Sequence, residues 1–242
     1  MTDTRTAIVT GAAGAIGGAC VARLVSDGFR VIAADRSQER LEKMDTGGGD
    51  VVPVVANVAD PADLDAIVEA AGRVDALLNV AGTGDALMGL DELDDDRWDL
   101  VVAVNQTAAF RLSRRVVPQM LERGEGTIIN LASVAGLRGG RAGIAYTASK
   151  WALIGMTQNI ASTLGPQGIR AFAICPSGIT GAVSLTDGGV SETGAARVRR
   201  DLRKPPPGKP QDVANLAAFL LGEESRHLNG VAIPLDAGLL AH

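Results

Sequence analysis

The chain is 242 residues long, 46% hydrophobic and 21% charged, and its 30 glycines follow no collagen-like period. That excludes a disordered, fibrous or disulfide-stapled protein and leaves enough apolar material for one substantial core. A net charge of −5 offers no basic footprint for nucleic acid, and the two cysteines, Cys20 and Cys175, are too few for a disulfide framework and suit a reducing, cytoplasmic compartment.

Residues 6–22 carry no charge and follow Arg5, which superficially matches a secretory leader. Gly11, Gly14, Gly17 and Gly18 interrupt the stretch, and Asp3 sits in the flank a leader keeps basic. It is read instead as a strand and a helix. No other stretch supplies the ~20 apolar residues of a membrane span, so no membrane partner is expected.

Short apolar runs then recur between longer amphipathic stretches. Strands are expected at 6–10 (TAIVT), 30–35 (RVIAAD), 51–57 (VVPVVAN), 74–80 (VDALLNV), 127–132 (TIINLA), 169–175 (IRAFAIC) and 231–235 (VAIPL). They are nearly continuously apolar rather than alternating, as strands buried on both faces of a parallel sheet are. Helices are expected at 15–26, 38–44, 61–71, 94–122, 145–164 and 211–221. Asp60 before Pro61 reads as an N-cap and first helical residue, and Asp94, Asp95 and Asp96 as an acidic helix start.

This alternation predicts an α/β fold: a single Rossmann-type, doubly wound parallel sheet of about seven strands with helices on both faces. No repeat or linker divides the chain, so residues 1–242 read as one domain. The one compositional break, 181–210, mixes Gly, Ser, Thr and basic residues with Pro205-Pro206-Pro207 and reads as a mobile segment lying on the sheet.

The first strand runs into Thr10-Gly11-Ala12-Ala13-Gly14-Ala15-Ile16-Gly17, with a helix directly behind. Glycines at such a turn let the backbone approach a pyrophosphate, and the helix N-terminus offers it free N–H groups and a partial positive charge. Asp35, at the end of the next strand, stands at the spacing of an acid that hydrogen-bonds a ribose and repels a 2′-phosphate. It favours NAD over NADP. Arg36 beside it pulls the other way, because an arginine there can pair with a phosphate.

The chain has one tyrosine, Tyr146, and four lysines, one of which, Lys150, lies four residues after it. On a helix these share a face. A free phenol, with a pKa near 10, is too weak a base at neutral pH, and a nearby ammonium favours its ionised form. Such a pair can take the proton of an alcohol as hydride leaves its carbon, or return it to a carbonyl.

With these residues in view, the chain resembles the classical short-chain dehydrogenase/reductase family over essentially its whole length. Tyr146 and Lys150 match the family's Tyr-x-x-x-Lys motif, and Ser133 in Asn130-Leu131-Ala132-Ser133 matches its catalytic serine. Asn105, in Val104-Asn105-Gln106, matches the asparagine of the family's proton relay. The segment Asn79-Val80-Ala81-Gly82 resembles one that stabilises the sheet and lines the cofactor. Pro176 and residues 178–180 lie where the family has its nicotinamide-side segment.

The resemblance thus implies a dinucleotide held by Gly11, Gly14, Ile16, Gly17, Asp35, Arg36, Asn57, Val58, Asn79, Ala81, Gly82, Tyr146, Lys150, Pro176, Ile179 and Thr180. It also implies a homotetramer or homodimer. Three departures stand out. Ala15 replaces the middle glycine of the classical turn, Asn57 stands for an aspartate, and Ser177 replaces the glycine after Pro176.

Family members build the substrate pocket from the segments that are 135–144 and 181–204 here. His227 and His242 have no ligand company, and no metal is expected. The expected activity is NAD-dependent hydride exchange with a small-molecule secondary alcohol or ketone. An NADPH-dependent 3-oxoacyl thioester reductase is the alternative enzyme, and a catalytically silent dinucleotide sensor or scaffold the alternative of another class.

Overall fold

A computed structural model describes residues 4–182, 189–199 and 205–241. In chain order its elements are β1 (Thr6–Thr10), α1 (Ala15–Ser26), β2 (Arg30–Asp35), α2 (Gln38–Glu42), β3 (Val51–Val55), α3 (Pro61–Ala71), β4 (Ala76–Asn79) and α4 (Asp95–Val102). They continue with α5 (Ala108–Arg123), β5 (Gly126–Leu131), α6 (Ile144–Leu164), β6 (Ile169–Pro176), α7 (Glu192–Arg199), α8 (Pro210–Leu221) and β7 (Ala232–Leu235).

All strand pairs are parallel, in the order β3-β2-β1-β4-β5-β6-β7. The order reverses between β1 and β4, which opens a crevice at the carboxyl ends of the strands.

Strand periodicity sorts the core into two layers. In β1, Ala7 and Val9 face one side and Ile8 the other. On the first side α1 and α8 pack over the sheet through Cys20, Val21, Leu24, Ala217 and Leu220. On the second, α3 and α5 bury Leu64, Ile67, Leu112, Val116 and Met120, and α6 sets Leu153 and Ile154 on β6. Each fully buried aliphatic side chain contributes about 1.5–3 kcal/mol, so the two layers rather than local propensity hold the sheet.

A buried polar chain fixes where α6 sits. Asn79 Nδ2 donates to Asn130 Oδ1 at 2.9 Å, and Asn130 Nδ2 donates to Thr157 Oγ1 on α6 at 2.9 Å. Asn79 also approaches Ser113 of α5 at 3.4 Å. Such a network costs more when half satisfied than an apolar contact does, so it selects one register.

The structure departs from the sequence expectation in three places. The outermost strands, β3 and β7, are only partly buried, and each carries a proline, Pro53 and Pro234, which an edge tolerates because it lacks a partner for one N–H. The single helix expected at 94–122 is α4 and α5 joined by a π-helical turn, Ala103–Thr107, whose extra residue turns Asn105 inward. The segment 181–210, expected as a mobile segment lying on the sheet, contains α7. Within it, residues 183–188 and 200–204 lie outside the described residues.

Candidate active site

The crevice at the β1–β4 reversal is a cleft of about 690 Å³ that runs from the ends of β2 and β3 to the ends of β5 and β6. Its middle is made of backbone. Gly11 takes φ +65°, and a Cβ there would meet the Ala81 Cα at 2.9 Å. A Cβ on Gly17 would collide with the Gly11 carbonyl oxygen, so α1 packs against the turn only with glycine there. Thr10 Oγ1 accepts the N–H groups of Val80 and Ala81 at 3.1 Å each, which ties the turn to the strand across the reversal.

Helix α1 begins after Gly14 with no side-chain cap and no acid in its first turn. Its leading N–H groups and dipole are therefore offered to the cleft rather than to a protein carboxylate.

At the β2 end, Asp35 is 6% exposed. Its Oδ2 accepts the Ala13 N–H at 3.1 Å and its Oδ1 the Ser37 N–H at 3.0 Å, so the acid braces the glycine turn as well as facing the cleft. Arg40 Nη2 lies 3.5 Å from Oδ1. Arg36, Asn57 and Val58 line the same end. The Asn57 side-chain oxygen already accepts the Ala59 N–H at 3.1 Å.

At the other end β5 delivers Ser133 in extended conformation, lining the cleft together with Tyr146. Tyr146 lies in the first turn of α6 and Lys150 one turn later, with Nζ 5.3 Å from the centre of the phenol ring. Burial lifts the phenol from 10 to about 12, against the lowering pull of the Ser133 hydrogen bond and with a further push from the Asp85 carboxylate. Lys150 is 3% exposed, and Nζ donates to the Leu131 carbonyl at 2.7 Å. Burial brings its pKa down to about 8.

In the protein alone burial disfavours the charged form of both groups, raising the phenol and lowering the lysine.

The cleft brings together Gly11, Gly14, Ile16, Gly17, Asp35, Arg36, Asn57, Val58, Ala81, Gly82, Ser133, Tyr146, Lys150, Pro176 and Ile179. Three expected residues lie off it. Asn79 is spent in the buried chain between the sheet and α6. Thr180 is exposed beside the Ile179–Gly208 bridge, and its N–H donates to the Gly208 carbonyl at 2.9 Å.

Asn105 is buried behind Gly82, where its Nδ2 donates to the Thr83 carbonyl at 3.0 Å and to Ser149 Oγ at 3.1 Å. A Cβ on Gly82 would lie 3.4 Å from Asn105 Oδ1 and 3.7 Å from Lys150 Nζ, so the amide neighbours the lysine without reaching the cleft surface.

Sequence reasoning missed Thr10 and Arg40. Arg40 stands in α2, four positions after Arg36, and carried no motif of its own. The bonds of Thr10 span some 70 residues and carried no local signal.

The bare helix N-terminus, the glycine cradle and the buried acid fit a nicotinamide dinucleotide, which the start of α1 and Asp35 would hold and which would supply hydride chemistry.

A family model for short chain dehydrogenase matches residues 5–187. The chain is 35% identical over 248 residues to a 3beta-hydroxysteroid dehydrogenase 2 of Eggerthella lenta, covering 98% of this chain and 95% of the relative. It is similar to a 3-ketoacyl-(acyl-carrier-protein) reductase from Brucella melitensis complexed with NADH, with a TM-score of 0.85, 28% identity and coverage of 97% and 98% of the two chains. It is also similar to an actinorhodin polyketide ketoreductase with NADPH, with a TM-score of 0.86, 30% identity and coverage of 100% and 99%. With α6, the glycine cradle and the full-length match in agreement, the chain belongs to the short-chain dehydrogenase family, oxidoreductases that bind a nicotinamide dinucleotide and act on hydroxyl and keto groups.

Proposed function

We propose that the protein catalyses reversible, NAD(H)-dependent interconversion of a secondary alcohol and its ketone. The observation that carries this reading is the convergence of Ser133, Tyr146 and Lys150 at one end of the cleft, with the buried carboxylate of Asp35 at the other.

Ser133 Oγ holds the substrate oxygen and the Tyr146 hydroxyl in one hydrogen-bonded line. In the reducing direction the neutral phenol, the resting form at about 12, donates its proton to the carbonyl oxygen. In the oxidising direction Tyr146 Oη takes the alcohol proton, and Lys150 supplies the nearby positive charge that makes the phenolate accessible. The dinucleotide, when bound, accepts or donates the hydride and in its oxidised form adds a second positive charge beside the phenol. Asn105 holds Thr83 and Ser149 in place behind the lysine and supports proton exchange with solvent.

Asp35 favours NAD because a 2′-phosphate would be brought against a carboxylate. A second reading, an NADPH-dependent 3-oxoacyl thioester reductase, is supported by Arg36 and Arg40 on the same rim. Initial rates with NADH and NADPH at equal concentration decide between them: a higher rate with NADH supports the first reading and a higher rate with NADPH the second. A substrate panel of hydroxysteroids, other secondary alcohols and 3-oxoacyl thioesters, followed by reduced-nicotinamide absorbance, then defines the class.

The same reading includes a cytoplasmic homo-oligomer. Trp98, Phe110 and Trp151 on α4, α5 and α6 are exposed large apolar side chains that suit a subunit contact, and both cysteines are free, buried thiols. Light scattering of the purified protein checks the assembly: a monomer overturns it.

A further inference from the structure

Asp85 is a wholly buried carboxylate beside the catalytic helix that the mechanism above does not use. The donors it faces are backbone N–H groups, among them Tyr146 at 2.8 Å, Leu87 at 3.2 Å and Gly143. Gly143 is the N-cap of α6 and has no side chain with which to cap it, and a Cβ at that position would strike both Asp85 oxygens. The acid thus caps α6 from about 60 positions away, on the N–H of the residue that carries the phenol.

The turn after Asp85 is strained. Ala86 and Leu87 both take left-handed backbone, φ 57° and 61°, which side chains rarely adopt. The strain is held from two sides. The carboxylate grips Leu87 N–H, and the Met88 carbonyl accepts the Ile144 N–H of α6 at 2.9 Å. From the other side, the Ser191 N–H just ahead of α7 donates to the Ala86 carbonyl at 2.9 Å. Gly194 of α7 lies so close to the Leu87 carbonyl that a Cβ there would clash with it. Ser191 Oγ also meets the Glu92 carboxylate at 2.8 Å.

Two elements, α6 at the cleft and α7, therefore rest on one strained turn. We propose that Asp85 is a positioning residue: it caps α6 at Tyr146 and, through the Ala86-Leu87 turn, seats α7, so one carboxylate sets the phenol's position and the docking of α7. The proposal rests on the assignment of Tyr146 as the acid/base. Charged and titratable groups on the elements around the turn include Tyr146 and Lys150 on α6, Asp91 and Glu92 on the same loop, and Glu192 and Arg197 on α7, Arg197 lying 3.9 Å from Asp91.

The test compares D85A and D85N with D60A, which removes the side-chain cap of α3 away from the cleft. The full-length protein is used, saturated with NAD⁺. Tyrosinate absorbance reports Tyr146 alone, because the chain has no other tyrosine. D85A should raise amide exchange at residues 191–195 by about tenfold, the scale of one lost cap. It should also lower kcat on whichever panel substrate turns over, with the KM for dinucleotide unchanged.

D85N keeps one acceptor oxygen for Tyr146 but not the charge. It should restore much of the protection while its phenol titrates below that of the wild type by about half a unit. D60A should lose comparable stability and show none of these effects. A D85A protein whose exchange at 191–195 and phenol titration match those of D60A overturns the proposal. If D85A does not fold, D85N decides alone, and an unshifted phenol overturns it. Exchange and titration need no turnover, so an inactive substrate panel, or a Tyr146→Phe variant that keeps activity, counts against the catalytic assignment and not against the role of Asp85.

Discussion

The two ends of the cleft are built by different means. The β1–α1–β2 end is contiguous chain: Gly11, Gly14, Gly17 and Asp35 fall within 25 residues, and what they present is backbone N–H and one acid. The catalytic end is assembled from distant pieces. Asp85, Asn105, Leu131, Ser133, Tyr146 and Lys150 come from four segments, and Asp85, Asn105 and Lys150 each hydrogen-bond to a different segment. The first end needs only a glycine turn to be legible. The second needs the whole sheet to exist before any of its chemistry does.

If that contrast holds, damage at the catalytic end should remove turnover and spare binding, and damage at the glycine end should do the reverse. The largest effect is expected from Tyr146→Phe. It should cut kcat by about 10³-fold, within the span of general acid–base catalysis, with the dinucleotide Kd near that of the wild type. Turnover that survives in this variant sinks the assignment.

Next in size is Gly17→Ala. Its methyl group has no room against the Gly11 carbonyl, so the turn must open and the dinucleotide Kd should weaken by about 100-fold, read by quenching of protein fluorescence. Unchanged affinity would show that the cradle yields more easily than its packing suggests.

Asp35→Asn should then reduce the preference for NADH over NADPH by roughly tenfold, as expected for losing one charge-assisted contact. It should also loosen the glycine turn slightly, because Ala13 and Ser37 both bond this acid. An unaltered preference would assign discrimination to Arg36 and Arg40.

A last effect, on stability rather than on turnover or binding, varies with pH. Lys150 is charged when unfolded up to about 10.5 but in the fold only up to about 8. A lysine with a depressed folded pKa costs stability fully below the folded value, and the cost fades as pH rises toward the unfolded one. In the absence of dinucleotide, Lys150→Met should therefore be the more stable protein at pH 7, by at most about 3 kcal/mol. Its margin in urea should shrink between pH 8 and 10.5, and a margin constant over that range contradicts the buried-charge account.

Much of this molecule was legible before folding. The bounds of β1, α1, β2 and α3 agree with the sequence expectation because each is marked locally: an apolar run against a glycine, or an Asp60-Pro61 start. The π turn at Ala103–Thr107 was not, since a one-residue surplus in a helix has no compositional sign and appears only when Asn105 must reach Thr83 and Ser149. The seat of α7 on Ala86 and Leu87 was hidden too, because those residues lie about 100 positions earlier in the chain.

By itself the sequence determined the alternating α/β plan, the glycine cradle, the acid that follows it and the Tyr146–Lys150 pair, because each depends on neighbours within a few residues. Only the tertiary structure decided the protonation tendencies of that pair, the retreat of Asn79 and Asn105 from the cleft, and the grip of Asp85 on α6. Desolvation and hydrogen bonds across tens of residues exist only once the sheet has closed around them.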